Sequence, residues 1–258
     1  AGCPIIIKPS LDTPLSCYEI IKLFLESGLP NYFCQMINIC DHLITQKFVS
    51  DPRISFLSFI GSAEVGWKLK SKLAPGAKCA MEHGGVGSVI LDKNTNLKKI
   101  LPSILRGAFY HAGQVCVSIQ KVIVHEDLID EFIDLLKKSV KKLKVGNPSN
   151  IKTDVGPLIR PSEVKRIDKI VKKSIKEGAE LICGGFSKKN TTYECTVLKN
   201  PKEQSEISKN EIFGPILCVY DFKSIDDAIK KANNDKYAFQ SSIYTDDINV
   251  AMLCYEKL

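Results

Sequence analysis

The stretch Ile54-Ser55-Phe56-Leu57-Ser58-Phe59-Ile60, followed by Gly61-Ser62-Ala63-Glu64-Val65-Gly66, is the best guide to the fold. The first seven residues are nearly all apolar, which is typical of a parallel strand covered on both faces. Ser62 is a good N-cap for the next helix, whose free N–H groups would favour a phosphate. The same residues also suit a plain strand–loop–helix junction, and a regular Gly-x-Gly-x-x-Gly fingerprint is absent.

The alternation of strand and helix continues along the whole chain. Apolar runs predict further strands at 5–7, 33–39, 78–82, 88–91, 119–124, 181–183, 193–198, 216–220 and 241–244. Amphipathic patterns predict helices that begin near 14, 63, 96, 127, 162, 224 and 246. This order predicts an α/β fold with largely parallel sheets. A change of pattern near Gly84-Gly85 gives the best domain boundary, and both chain ends suggest a piece of a larger fold.

The composition excludes several classes of protein. The 258 residues, 44% of them hydrophobic, can fill one large α/β domain or parts of two. The net charge is +7, but lysines near 137–144 and 165–176 have helical spacing and indicate solvated helix faces rather than a nucleic-acid groove. No apolar run approaches the ~18 residues of a membrane span, and no signal peptide opens the chain.

The ten cysteines have no regular spacing. In a chain of this size, that pattern indicates reduced, mostly buried thiols and a cytoplasmic protein. We expect no metal site, because Cys and His do not cluster at ligand spacing.

Two phrases carry reactive groups. In Gly113-Gln114-Val115-Cys116, a turn would offer N–H groups that lower the thiol pKa, and the N–H of Cys116 could hold an oxyanion. In Glu82-His83-Gly84-Gly85, Glu82 ends a predicted strand and could take a proton from water. A thiol and a carboxylate are the groups needed to make and break a thioester. Alternatively, Cys116 is an ordinary thiol and Glu82 a solvated carboxylate. His111 could pair with Cys116 or simply pack at a helix end.

Two further phrases suit a ligand site. Lys8-Pro9-Ser10 follows a predicted strand, and ligands bind at the carboxyl ends of strands in open α/β sheets. Glu211-Ile212-Phe213-Gly214-Pro215 lies between a polar run and a strand. The alternatives are an exposed lysine and a rigid turn.

Taken in order, these five motifs resemble the aldehyde dehydrogenase superfamily, and the resemblance covers the whole chain. It implies part of a Rossmann-like cofactor-binding domain at 1–83, followed by an α/β catalytic domain at 84–258. It implies an oxidoreductase that uses NAD or NADP, acts on a small aldehyde and forms a homo-oligomer at full length. The implied site residues are the nucleophile Cys116, the general base Glu82, Lys8 for the adenosine ribose, Ser62 for the pyrophosphate, Glu211 for the nicotinamide ribose, and Phe213 beside it.

The sequence departs from the family pattern at several points. Leu11 stands where NAD-preferring members often carry a glutamate, which leaves NADP possible, and His83 replaces a common leucine. The family's N-terminal segment, with the oxyanion-hole asparagine, and its C-terminal segment are absent.

Two other functions therefore stay open. One is a CoA-acylating semialdehyde dehydrogenase, although Glu82 argues against it because that branch needs no hydrolytic base. The other is a truncated, catalytically impaired homologue that acts as a binding or assembly module. The wording around Asp51-Pro52-Arg53 and Phe239-Gln240-Ser241 resembles the lactaldehyde and phosphonoacetaldehyde branch.

Overall fold

The structure, a computed structural model, describes residues 2–237 and 239–258. Contacts divide the chain into two units, one ending at His83 and the other Gly84–Leu258. The cofactor-binding and catalytic roles expected of these two parts stay predictions.

Within the described residues, the first unit contains two pairs of parallel strands and three helices. Strand β1 pairs with β2, and β3 pairs with β4. Helix α3 begins after Ser62, whose hydroxyl accepts a hydrogen bond from the Val65 N–H at 3.5 Å, as the cap pattern predicts. The elements are β1 (Ile5–Ile7), α1 (Pro14–Glu26), β2 (Cys34–Met36), α2 (His42–Val49), β3 (Phe56–Gly61), α3 (Ala63–Lys70) and β4 (Lys78–His83).

One expectation for this unit is wrong. The apolar run at 54–60 does contain a strand, but β3 is not covered on both faces. Within the described residues its only strand neighbour is β4, and the side chains of Phe56 and Ile60 are 56% and 81% exposed. An apolar run thus predicts a strand, but it does not predict how many neighbouring elements cover that strand.

The second unit is built on a six-stranded sheet in the order β12-β5-β6-β11-β10-β7. All neighbours are parallel except β7, which runs antiparallel to β10. The strands are β5 (Gly87–Leu91), β6 (Ile119–His125), β7 (Glu180–Cys183), β10 (Thr196–Lys199), β11 (Ile216–Phe222) and β12 (Ser241–Tyr244), with a separate hairpin of β8 (Ser187–Lys189) and β9 (Thr192–Tyr193).

Helices cover both faces of this sheet, so its central strands are mostly buried, and β6 buries the polar residues Gln120 and Lys121 as well. On one face, α4, α5 and α6 supply Ile104, Phe132 and Ile167 to the large core. On the other face, α8 and α9 pack on Ile90 and Ile123. The helices are α4 (Leu97–Phe109), α5 (Ile129–Val140), α6 (Pro161–Lys176), α7 (Glu206–Lys209), α8 (Ile225–Ala232) and α9 (Ile248–Lys257).

The α/β class is confirmed, and no helix in the described ranges is both long and apolar enough to span a bilayer.

Candidate active site

The segments of the second unit that carry the candidate site residues lie at one edge of its sheet. Because β5, β6, β11 and β12 run parallel, the residues before each strand lie at the same edge. Gly84 and Gly85 precede β5, Cys116 precedes β6, and Glu211 precedes β11. This is the amino edge, opposite the carboxyl ends at which open α/β sheets ordinarily bind ligands.

Cys116 lies in a tight turn after strained backbone. Helix α4 ends at Phe109, and three residues in a row then have left-handed φ angles: 49° at His111, 56° at Ala112 and 69° at Gly113. Such strain in residues other than glycine clusters at functional sites. A turn follows, closed by a hydrogen bond from the Ser118 N–H to the Val115 carbonyl at 2.9 Å. Cys116 is exposed in this turn.

The backbone N–H of Cys116 has no acceptor within the described parts of the chain. An exposed thiol beside a free N–H can act as a nucleophile whose product oxyanion finds a donor. The ring of His111 instead lies edge-on against Tyr110, with centroids 4.1 Å apart, which supports the packed interpretation of this histidine.

The turn is braced on its first side by Gln114. Its amide nitrogen donates to the carbonyls of His111 and Pro157 at 3.0 and 3.1 Å, and its amide oxygen accepts from the Ile159 N–H at 2.8 Å. At Gly113, a Cβ would lie 2.0 Å from the Gly214 carbonyl oxygen. Only glycine therefore fits there, and the Cys116 turn lies directly against the Glu211–Pro215 segment.

Ser118 and two glycines fix the turn on its second side. The Ser118 hydroxyl lies 3.3 and 3.4 Å from the carbonyls of Gly107 and Ala108 at the end of α4. A Cβ on Gly87 would lie 2.5 Å from the Ser118 carbonyl oxygen, so β5 approaches the turn closely. Cys116 is therefore exposed but placed by a rigid support.

A buried glutamine holds the segment that carries Glu211. The Gln120 amide nitrogen donates to the carbonyls of Ile207 and Asn210 at 2.9 and 2.8 Å, and its oxygen accepts from the Ile212 N–H at 2.7 Å. Arg166 also donates to the Ile212 carbonyl at 2.6 Å. These bonds fix the backbone between Glu211 and Phe213.

Glu211 and Phe213 differ in their surroundings. The Glu211 carboxylate lies against Gly84, where a Cβ would come within 2.0 Å of Oε1. The paired glycines thus make room for this side chain. Phe213 has a left-handed φ of 52° and a largely exposed ring.

Most buried cysteines are unsuited to thiol chemistry. Burial raises the pKa of Cys195 and of Cys218 to about 12 and also raises the pKa of Cys183 and Cys254. A thiolate is the reactive form, so a raised pKa makes these four thiols less reactive at neutral pH than an ordinary cysteine. Cys116 is exposed, as are Cys3 and Cys40.

The first unit presents its candidate residues at the carboxyl ends of strands. Ser62 follows β3, and Glu82 is an exposed residue near the end of the adjacent strand β4. Lys8 follows β1 and donates to the Pro9 carbonyl at 2.8 Å. The predicted positions therefore form two sets, Lys8, Ser62 and Glu82 in the first unit, and Cys116, Glu211 and Phe213 in the second.

Sequence motifs alone assign no role to the two glutamines that anchor these segments. Gln120 and Lys121 are polar residues inside a predicted strand, and this pattern is a signal for buried polar contacts. Gln114 carries no such signal, because its hydrogen-bond partners at Pro157 and Ile159 are distant in sequence. Within the described ranges no cluster of three or more His, Cys, Asp or Glu residues could hold a metal ion.

Comparisons with known proteins agree with the motifs. The pattern of the aldehyde dehydrogenase family matches residues 1–258. The chain is 36% identical over its full length to a lactaldehyde dehydrogenase of Methanococcus vannielii, of which it covers 56%. It is 32% identical to a 3-sulfolactaldehyde dehydrogenase of Priestia aryabhattai, over 98% of the chain and 52% of that protein.

A solved structure gives the same result for the fold. It is glyceraldehyde-3-phosphate dehydrogenase of Methanocaldococcus jannaschii complexed with NADP, with a TM-score of 0.93, 32% identity, and coverage of 98% of this chain and 56% of that one. The chain spans about half the length of the curated relatives it matches. With the family pattern matched throughout, the chain belongs to the aldehyde dehydrogenase family.

Proposed function

We propose that the protein oxidises a small aldehyde to a carboxylate with NAD or NADP, through a thioester on Cys116. The observation that carries this proposal is the Cys116 turn. Hydrogen bonds on both sides of the turn hold an exposed thiol and an N–H that has no acceptor within the described residues. Family membership supplies the reaction class, and the geometry of the turn supports Cys116 as the group that performs it.

Cys116 begins the reaction as nucleophile. Its thiolate adds to the aldehyde carbon and forms a thiohemiacetal, and the carbonyl oxygen becomes an oxyanion within reach of the Cys116 N–H. Removal of one such donor typically costs about 3–4 kcal/mol of transition-state stabilisation. The left-handed backbone at His111 to Gly113 leads into the turn that carries this N–H.

The residues of the first unit suit a dinucleotide. Within the described part of the chain, the N–H groups of Ala63 and Glu64 in the first turn of α3 have no acceptor, so they can bind a pyrophosphate beside Ser62. A Cβ on Gly66 would lie 2.3 Å from Met81, so glycine allows close packing of helix on strand.

Further residues place the cofactor. Lys8 would hold its adenosine ribose, and Glu211 and Phe213 its nicotinamide end. Bound there, NAD or NADP would supply the acceptor for the hydride that leaves the thiohemiacetal on Cys116. Leu11 in place of a glutamate leaves use of NADP possible, and the M. jannaschii structure is complexed with NADP.

Glu82 completes the cycle as general base. It takes a proton from water, which then attacks the acyl carbon and releases the carboxylate and the Cys116 thiolate. The names of the M. vannielii and P. aryabhattai relatives point to a short 2-hydroxyaldehyde as substrate, such as lactaldehyde. A homo-oligomeric, cytoplasmic protein remains the prediction for the full-length form.

Steady-state reduction of NAD and NADP by the whole protein tests this function with lactaldehyde, 3-sulfolactaldehyde and glyceraldehyde-3-phosphate. Cys116→Ala should abolish turnover and keep cofactor binding, whereas Cys40→Ala, at another exposed cysteine, should change neither. Glu82→Gln should give a burst of one reduced cofactor per site and then stall, because the acyl enzyme is not hydrolysed. A wild-type protein that binds cofactor but oxidises none of these aldehydes would instead be a binding module.

A further inference from the structure

Gln240 is an exposed residue outside every motif that the proposed function uses. It lies immediately before β12, and its amide nitrogen donates to the Val117 carbonyl at 3.0 Å. Val117 is the neighbour of Cys116, and the two form the middle of the turn between Val115 and Ser118. The side chain of the residue before β12 thus donates a hydrogen bond to the turn that precedes β6.

The backbone that carries Gln240 is fixed. The Ser88 N–H lies 3.4 Å from the Gln240 carbonyl, and the next residue, Ser241, pairs with Ser88 in the sheet. A Cβ on Gly85 would lie 3.0 Å from the Cβ of Phe239, so the residue before Gln240 is packed closely as well. Gln240 therefore acts from a rigid base.

A buried ion pair anchors the chain upstream of Gln240. The Lys121 ammonium lies 2.9 Å from the Asp235 carboxylate and 3.2 Å from the Lys231 carbonyl at the end of α8. Asn233 and Asn234 donate to the carbonyls of Lys257 and Glu203 at 2.6 and 3.2 Å. Three consecutive side chains thus attach this segment to three parts of the unit.

Gln240 completes the support of the Cys116 turn. Gln114 holds the segment before the turn, and the Ser118 N–H bonds to the Val115 carbonyl, but within the described residues no group other than Gln240 donates to the Val117 carbonyl. Rotation of the peptide unit between Val117 and Ser118 would break the Ser118–Val115 bond that closes the turn, and would so shift Cys116. The bond from Gln240 restrains this rotation.

We infer that Gln240 is a positioning residue, which fixes the Cys116 turn through the Val117 carbonyl and so holds the thiol and its N–H in reactive geometry. This inference rests on the proposed function of Cys116. Gln240 acts through Val117 and not on the substrate, so its effect is the same for every aldehyde.

The test compares Gln240→Met, which keeps the size but removes the donor, with Gln240→Lys, which keeps a donor of similar reach. The control is Gln204→Met at an exposed position of the same unit. The kcat of the whole protein should fall about three- to tenfold in Gln240→Met, the range that one ordinary hydrogen bond allows. KM should change little, and Gln240→Lys should recover most of the rate.

Two substrates separate positioning from substrate binding. The loss in Gln240→Met should be equal for lactaldehyde and for propanal, which lacks the 2-hydroxyl group. A loss confined to lactaldehyde would show that Gln240 contacts the substrate, and wild-type kcat in Gln240→Met would overturn the inference. An equally slow Gln240→Lys would also overturn it, because the donor would then not be the cause.

The alkylation rate of Cys116 by iodoacetamide provides a readout that needs no turnover. Quantitative peptide mapping should show a similar fall in Gln240→Met and an unchanged rate in Gln204→Met. An unchanged rate in Gln240→Met would overturn the inference. If the wild-type protein oxidised no aldehyde, the proposed function would fail, and this alkylation rate would still decide the role of Gln240.

Discussion

The ten cysteines differ in access to solvent, and this difference predicts which of them reacts. Cys116 is exposed, whereas burial raises the pKa of Cys195 and Cys218 to about 12. In the folded chain near neutral pH, iodoacetamide should therefore modify Cys116 and leave these two thiols intact. Peptide mapping by mass spectrometry measures this. Modification of Cys218 in native protein at a rate similar to that of Cys116 would contradict the packing of β11.

At the scale of single residues, sequence reasoning found the chemistry but not its support. Cys116 and Glu82 stood out because their neighbours are glycines and a glutamine. The partners of Gln120 lie about ninety positions away, and that of Gln240 more than a hundred. No local pattern encodes such pairs, because they exist only after the sheet has formed.

Among the elements, the connection from α4 to β6 is the most constrained. Gly113 has a φ of 69°, and a Cβ there would lie 2.0 Å from the Gly214 carbonyl oxygen. Gly113→Ala should lower the free energy of unfolding by at least about 2 kcal/mol, because it combines left-handed strain with a backbone clash. Urea denaturation followed by circular dichroism measures this loss.

Gly146→Ala is the matched control for that substitution. A Cβ at position 146 meets only the Thr153 hydroxyl, at an ordinary 3.5 Å. We expect a change below about 1 kcal/mol there. Equal effects at the two glycines would mean that the close approach of the Gly113 and Gly214 segments does not exist in solution.

Two cysteines, Cys195 just before β10 and Cys218 in β11, predict that the protein loses stability in alkali. Burial raises the pKa of Cys195 and of Cys218 from 9.0 to about 12. The two protonated thiols make their full contribution to the free energy of unfolding below pH 9. This contribution is lost as pH rises towards 12, because the unfolded chain releases these protons at a lower pH than the folded chain. Each thiol should contribute about 1 kcal/mol of loss per pH unit in this window.

Urea midpoints at about pH 8 and about pH 10 measure this slope. Cys218→Ala should be less stable at both values, because it leaves a cavity beside β6 and β10, yet its stability should depend less on pH. A variant with the wild-type slope would show that Cys218 does not stay protonated in the fold.

Most element types followed from the sequence, and the differences have physical causes. The strand at 241–244 was predicted with its observed bounds, and α6 to within one residue. Helix α2 (His42–Val49) was missed because it is short and buries only Val49, so its apolar period is weak. The prediction that 54–60 is covered on both faces was wrong, because an apolar run does not show how many strands lie beside it.

At the scale of the whole chain, the two units have very different cores. Within the described residues, the buried apolar side chains of the first unit are Ile21, Cys34, Val49 and Leu69, whereas those of the second form two extended clusters. Since burial of apolar surface is the main source of stability, the first unit should unfold at a lower urea concentration than the second.

The single tryptophan makes this difference measurable. Trp67 is in α3, close to the ring of His83, so its fluorescence reports the first unit alone. Alkylation of the buried thiols Cys195 and Cys218 reports the second. The fluorescence midpoint should precede the onset of thiol labelling as urea rises, because few apolar contacts must break to expose Trp67. Coincident transitions would instead mean that the chain unfolds as one cooperative body, with the first unit stabilised by more than its own core.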